Sequence, residues 1–227
     1  MTVHYHVAYS TTRWAAMSTN LTIDLWTDLV CPFCYIGEAR LQSALEAEGV
    51  TAEIHIRSFE LDPGIREPVG SVDRLVANKG MPREDVERME GQLKQMAEGE
   101  GLTYETDRLM GTTIPVHLIA QYANQQGLEV GERFFREIQT AYFSGEINPF
   151  NDEELIDFAE RSGLDREGAT AALQDRELLN IVRGDQQIAH KLAVSGVPYI
   201  LLNKRLAIPG AVAPERFREA IRQAVAL

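Results

Sequence analysis

The chain has 227 residues, 44% apolar and 25% charged, ordinary for a folded protein and enough for one large domain or a domain carrying an insertion. A net charge of −12 argues against nucleic acid as a partner, because phosphate binding needs clustered Lys and Arg. No segment approaches the ~20 apolar residues of a membrane span, and His4, Tyr5, His6, Arg13 and Trp14 break up any secretory signal core, so a cytoplasmic protein with no membrane contact is expected.

Residues 1–20 read as a disordered N-terminal extension, with Met17 as an alternative start. Leu21, Ile23 and Leu25 alternate with Thr22, Asp24 and Trp26, the period of a strand. Cys31-Pro32-Phe33-Cys34 follows, and a helical pattern starting near Ile36 carries Ala39, Leu41, Ala44, Leu45 and Ala47 before stopping at Gly49. Val50, Ala52, Ile54 and Ile56 alternate with polar residues and give a second strand running to Phe59, which completes a βαβ unit. The pattern changes at Asp62-Pro63-Gly64, and no strand is expected again before Pro198. Helices are predicted near 71–79, 83–99, 113–126, 131–144, 152–162 and 165–193, the last long enough to contain a break. Val116, Ile119, Ala120 and Ala123 mark a buried helix face, and Asn151 with Glu154 resembles a capping box. Tyr199–Leu202 and Leu206–Ile208, joined by Asn203-Lys204-Arg205, predict a hairpin, and Pro214 opens a last helix with Phe217, Ala220, Ile221 and Ala224 on one face.

The two cysteines of the chain both lie in the Cys31–Cys34 stretch, at a strand-to-helix junction. A cysteine in the first turn of a helix faces unpaired backbone N–H groups and the positive end of the helix dipole. Both favour the thiolate, which is the reactive form. Residues three apart share a helix face, so the two sulfurs are placed to form a disulfide. A zinc site is not expected. It normally takes four ligands, and His55, His117 and His190 lack ligand spacing around this single cysteine pair.

This order resembles an α/β thioredoxin-like fold with an inserted all-helical domain, as found in the DsbA-like thiol:disulfide oxidoreductases and, within them, the FrnE-like branch. The residues that carry the resemblance are Asp28-Leu-Val-Cys-Pro-Phe-Cys-Tyr-Ile-Gly37, Ser195-Gly-Val-Pro-Tyr199 and Ala207-Ile-Pro-Gly-Ala211, supported by Phe59-Glu-Leu-Asp-Pro63 and Ala141-Tyr-Phe143. It implies a thioredoxin-like domain from residues 21–62 and 186–227, with residues 63–185 as the helical insertion. It further implies that Cys31 attacks and Cys34 resolves. The Val197–Pro198 bond would be cis and face the start of the Cys31–Cys34 helix, leaving the Val197 backbone to an extended substrate. Phe33, Val197 and Pro198 would contact substrate, while Pro32 and Phe33 tune the site. Strongly oxidising relatives carry His at the position of Phe33, so a weaker oxidant is expected here.

The implied partners are protein or peptide thiols and disulfides, glutathione among the candidates, and no cofactor is called for. Two rival readings are an enzyme of the glutathione transferase kappa or hydroxychromene carboxylate isomerase type, which uses Ser where this chain has Cys31, and a non-catalytic protein-binding adaptor. Three residue-level expectations complete the reading. Asp28 is read as a solvated turn residue, His117 as a partly buried helix histidine, and the acidic stretch Glu84 to Glu105 as the wet face of a helix.

Overall fold

The computed structural model describes residues 21–226, and the predicted extension over residues 1–20 lies outside them. In chain order the elements are β1 (Leu21–Thr27), α1 (Pro32–Glu48), β2 (Ala52–Ser58), β3 (Val69–Gly70), α2 (Ser71–Lys79), α3 (Arg83–Gly99), β4 (Leu109–Met110), α4 (Ile114–Gln126), α5 (Leu128–Phe143), α6 (Asp152–Arg161), α7 (Arg166–Ala172), α8 (Arg176–Lys191), β5 (Tyr199–Leu202), β6 (Leu206–Pro209) and α9 (Pro214–Val225). The main sheet has the order β2-β1-β5-β6. β1 and β2 pair in parallel from Leu21↔Ala52 to Thr27↔Ser58, with α1 as their crossover. β5 then runs antiparallel to β1, and β6 antiparallel to β5. This is a thioredoxin-like fold, with helices α2 to α8 between its βαβ and ββα halves.

Several boundaries differ from the sequence reading for local reasons. α1 starts at Pro32, not near Ile36, because Pro at the first helical position already holds helical φ and gives up no hydrogen bond. α5 starts at Leu128 because Gly127, at φ 148°, both ends α4 and begins α5. The stretch 165–193 divides into α7 and α8, and Asp175 caps α8 by accepting hydrogen bonds from the Glu177 and Leu178 N–H groups. The β3–β4 ladder has two residues per strand, too short to show a period. Asn151 caps α6 through the Glu154 N–H, while the Glu154 carboxylate accepts from Asn148 instead of closing the box. The expected division at residues 185 and 186 falls inside α8.

The insertion is fastened to the sheet by polar contacts as well as by apolar packing. The Asp185 carboxylate on α8 accepts from the Ser58 N–H at 3.0 Å and from Gln121 Nε2 at 3.1 Å, and pairs with Arg57. Its carbonyl accepts from the Trp26 indole at 3.0 Å. On the open edge of β2, Gln121 and Asn124 of α4 donate to the Ile56 carbonyl, which covers a strand edge otherwise free to pair. Farther out, Glu90 is buried, contrary to the expected wet face. It accepts from Tyr104 and pairs with Arg108, whose guanidinium lies 4.4 Å from the Tyr104 ring and 4.6 Å from that of Phe143. Phe143 in turn stacks on Tyr35, the residue after Cys34, with centroids 4.6 Å apart.

Asp185→Ala strips the partners from Ser58, Gln121 and Arg57 at once. A loss of about 3 kcal/mol is expected, read as a lower urea midpoint at unchanged slope. A midpoint equal to that of the parent would show that this junction does not hold α8 to the sheet.

Candidate functional site

Cys31 is the N-cap residue of α1, in extended backbone at φ −84° and ψ 110°. Its carbonyl accepts from the Cys34 and Tyr35 N–H groups at 3.0 and 3.2 Å, so the helix begins between the two sulfurs. No acidic residue occupies the first turn, and the positive end of the helix faces Cys31. Both cysteines are free. The two hardly differ in exposure, Cys31 being 2% and Cys34 0% exposed. What distinguishes them is contact. The Cys31 thiol donates to the Val197 carbonyl at 3.5 Å, across the cis Val197–Pro198 bond.

Trp26, Cys31, Cys34, Ala189, Val194 and Val197 form a small apolar cluster of their own, flanked by Phe59, Tyr199 and Leu201. The sheet, α1, the end of α8 and the Pro198 loop therefore all meet at the sulfurs. Phe33 is the outward member of the site at 45% exposure, an apolar ring presented to solvent between the cysteines. Gly37 lies one turn further along α1. A Cβ there would sit 3.0 Å from Pro198 Cγ and 3.3 Å from Ala211 Cβ, so the missing side chain is what lets the Pro198 loop close on the helix.

Polar groups that the sequence reading passed over stand beneath the cysteines. Burial pushes the Cys34 thiol well above its ordinary 9.0, and Cys31 adds to the rise, while the neighbouring Asp28 backbone and Thr27 hydroxyl oppose it. The Thr27 hydroxyl also donates to Glu38 Oε1 at 2.6 Å. Burial raises the Glu38 carboxyl from 4.5 to about 7, against that hydrogen bond. Cys34, Thr27 and Glu38 thus form a chain of proton-bearing groups. It ends at a cleft of about 260 Å³ between α1 and α5, lined by Tyr35, Glu38, Gln42, Arg136, Gln139 and Thr140. The signal for Glu38 was present in the sequence. Positions 34, 38, 41 and 45 lie on one helix face, and the other three are apolar or sulfur-bearing.

Two residues that the sequence did single out stand differently from expectation. Asp28 is 0% exposed, not solvated, because its carboxylate accepts from the Leu61 N–H at 2.7 Å and faces His117 Nε2 at 3.3 Å. His117 is likewise fully buried. Among the described residues no three His, Cys, Asp or Glu side chains gather as metal ligands would.

Comparison with known proteins agrees with this geometry. Residues 22–222 match the family described as the DSBA-like thioredoxin domain. The chain belongs to this family. A probable DsbA oxidoreductase from Streptomyces coelicolor, SCO1869, is 34% identical and superposes with a TM-score of 0.84 over 91% of this chain and 90% of its own. YwbO of Bacillus subtilis (strain 168), itself uncharacterized, is 26% identical over 88% of this chain and 94% of its own. The cytosolic disulfide reductase DsbM of Pseudomonas aeruginosa, solved with GSH, shares the fold at a TM-score of 0.63 and 17% identity, over 91% of this chain and 100% of its own.

Glu38 gives this family member a testable pH dependence. Its folded-state pKa is raised, so the folded chain holds that proton more tightly than the unfolded chain. The stability this brings is complete below pH 4.5 and is lost as pH rises through about 7. A shift of that size is worth roughly 3 kcal/mol. Glu38→Gln keeps the shape and drops the charge. It is expected to match the parent in urea midpoint at pH 4.5 and to exceed it at pH 8.5; equal midpoints at both pH values would contradict the assignment.

Proposed function

We propose that the protein is a thiol–disulfide oxidoreductase acting on protein or peptide disulfides and dithiols through Cys31 and Cys34. The observation that carries this reading is the pair of free sulfurs at a helix start, one of them 3.5 Å from the Val197 carbonyl. In the reducing direction the Cys31 thiolate attacks a substrate disulfide and forms a mixed disulfide, and one substrate sulfur leaves as a thiolate. Cys34 then attacks the Cys31 sulfur, the second substrate thiol is released, and the Cys31–Cys34 disulfide carries the oxidation. The Cys34 proton passes through the Thr27 hydroxyl to the Glu38 carboxylate, whose pKa of about 7 suits an acceptor at neutral pH. Substrate lies across the exposed Phe33 ring and the Val197–Pro198 turn, and Pro32 and Phe33 tune the site without adding charge.

Glutathione belongs to the same partner class, and the bound GSH in DsbM supports it. A cytoplasmic setting is the reading we favour, since DsbM is described as cytosolic and no helix among the described residues is long and apolar enough to cross a membrane. An isomerase of the hydroxychromene carboxylate type shares the fold at 14% identity, but free thiols at both positions favour exchange on the protein's own sulfur.

Insulin reduction with glutathione as electron donor tests the reading. Cys31→Ser is expected to abolish turnover, and Cys34→Ala to accumulate mixed disulfides on Cys31. Turnover by Cys31→Ser at the parent rate would overturn the role given to Cys31, and a parent with no turnover would leave the adaptor reading instead. Glu38→Gln is expected to slow release of the mixed disulfide by about tenfold or more, with the pH dependence near 7 removed.

A further inference from the structure

Asp28 occupies an unusual position. Its backbone carbonyl accepts from the Cys31 N–H at 3.3 Å and from Gln139 Nε2 of α5 at 3.3 Å. One carboxylate oxygen accepts from the Leu61 N–H, and the other faces His117 Nε2 of α4. Three residues from the attacking sulfur, one buried residue therefore joins the Cys31 turn, the chain after β2 and two helices of the insertion. The Leu61 N–H donates to the carboxylate, and His117 Nε2 donates as well in the tautomer that carries its proton there, a set that satisfies an anion and not a protonated acid. Among the described residues no Lys or Arg pairs with it, so His117 is its one partner able to carry charge.

The His117 ring has a defined tautomer for the same reason. Nδ1 has no hydrogen-bond partner and the ring is fully buried. A proton on Nε2 serves Asp28 and leaves Nδ1 as a bare acceptor, whereas an imidazolium would bury an unmatched N–H. Other charged or titratable groups face the pair. Asp185 of α8 is already matched to Arg57 of β2. The Tyr142 phenol of α5 is pushed up to about 12, chiefly by burial and in part by the charge of Asp28. The Asp28 backbone lies beside Cys34.

We infer that His117, supplied by the insertion, is a positioning residue that holds Asp28 as a buried anion behind the Cys31 turn, and that this anion makes the site a weaker oxidant. The inference rests on the proposed exchange chemistry at Cys31. A fixed negative charge beside the turn disfavours a second one on the Cys31 sulfur. The reduced form, which carries that thiolate, is destabilised against the disulfide, so the disulfide oxidises partners less readily. This tuning acts independently of Phe33, which faces solvent.

The test compares Asp28→Asn, His117→Gln and His117→Leu in two measurements. One is the equilibrium of the Cys31–Cys34 disulfide with glutathione; the other is the rate of Cys31 alkylation by iodoacetamide at pH 6 in a Cys34→Ala background. Asp28→Asn is expected to raise the equilibrium constant for reduction about tenfold, equivalent to about 30 mV, and to speed alkylation. His117→Gln keeps an N–H donor and is expected to stay within about twofold of the parent. His117→Leu removes the donor, so the buried carboxylate is no longer held as an anion, and is expected to shift as Asp28→Asn does. An Asp28→Asn variant within twofold of the parent in both measurements would overturn the inference, as would a His117→Gln shift as large as that of Asp28→Asn. If His117→Leu does not fold, those two variants still decide. A parent that exchanges with neither glutathione nor insulin defeats the functional reading, while the alkylation rates continue to judge this inference by themselves.

Discussion

The contact between the Cys31 thiol and the Val197 carbonyl joins residues 166 positions apart, and the rest of the molecule is arranged to keep them together. β1 delivers the chain to Cys31 at its C-terminal end. β5 runs antiparallel beside it, so the residues just before β5 return to that same end. Parallel pairing of β1 with β2 requires a crossover, and α1 supplies it, starting at the sulfurs themselves. Every strand of the main sheet therefore contributes to the site through its connection or its register, β6 by leading into Gly210, whose N–H donates to the Pro198 carbonyl at 2.8 Å.

The second constraint is the management of buried acids in a chain that has many. Asp28, Glu38, Glu90 and Asp185 are all nearly sealed from solvent, yet they are held differently. Glu90 and Asp185 have an arginine each, and act as fasteners within the insertion and between insertion and sheet. Asp28 and Glu38 have no arginine in contact and lie closest to the sulfurs. A buried acid paired with an arginine ties elements together, whereas one served only by hydroxyl, amide or imidazole donors keeps its charge free to act on the sulfurs beside it. The molecule separates scaffold from reactive machinery by this choice of counter-group.

Much of the architecture could be read from the residues because it is written in periods and stops. The alternation from Leu21 to Trp26, the apolar face around Val116 and the hairpin after Pro198 all appear where they were expected. β3 and β4 could not be read, since two residues carry no period. Within the site, the cysteine pair and Gly-Val-Pro were legible as motifs, and the structure brings them together. Of the polar layer beneath, Glu38 alone left a signal, on the apolar face of α1, while Asp28 and Glu90 look like solvent-facing residues until a distant donor is placed against them. For Asp28 that donor is His117, 89 positions away in sequence.

The bare backbone at Gly37 sets a limit on how this active site can be remodelled. Pro32 and Phe33 point along or away from the helix start, so a designer seeking a new redox balance has freedom there. Four residues on, the Pro198 ring rests where any side chain would stand. Variation that alters the dipeptide leaves the contact between the two sequence halves intact, while even a methyl group at position 37 presses on the Pro198 ring and on Ala211, which must give by a few tenths of an ångström.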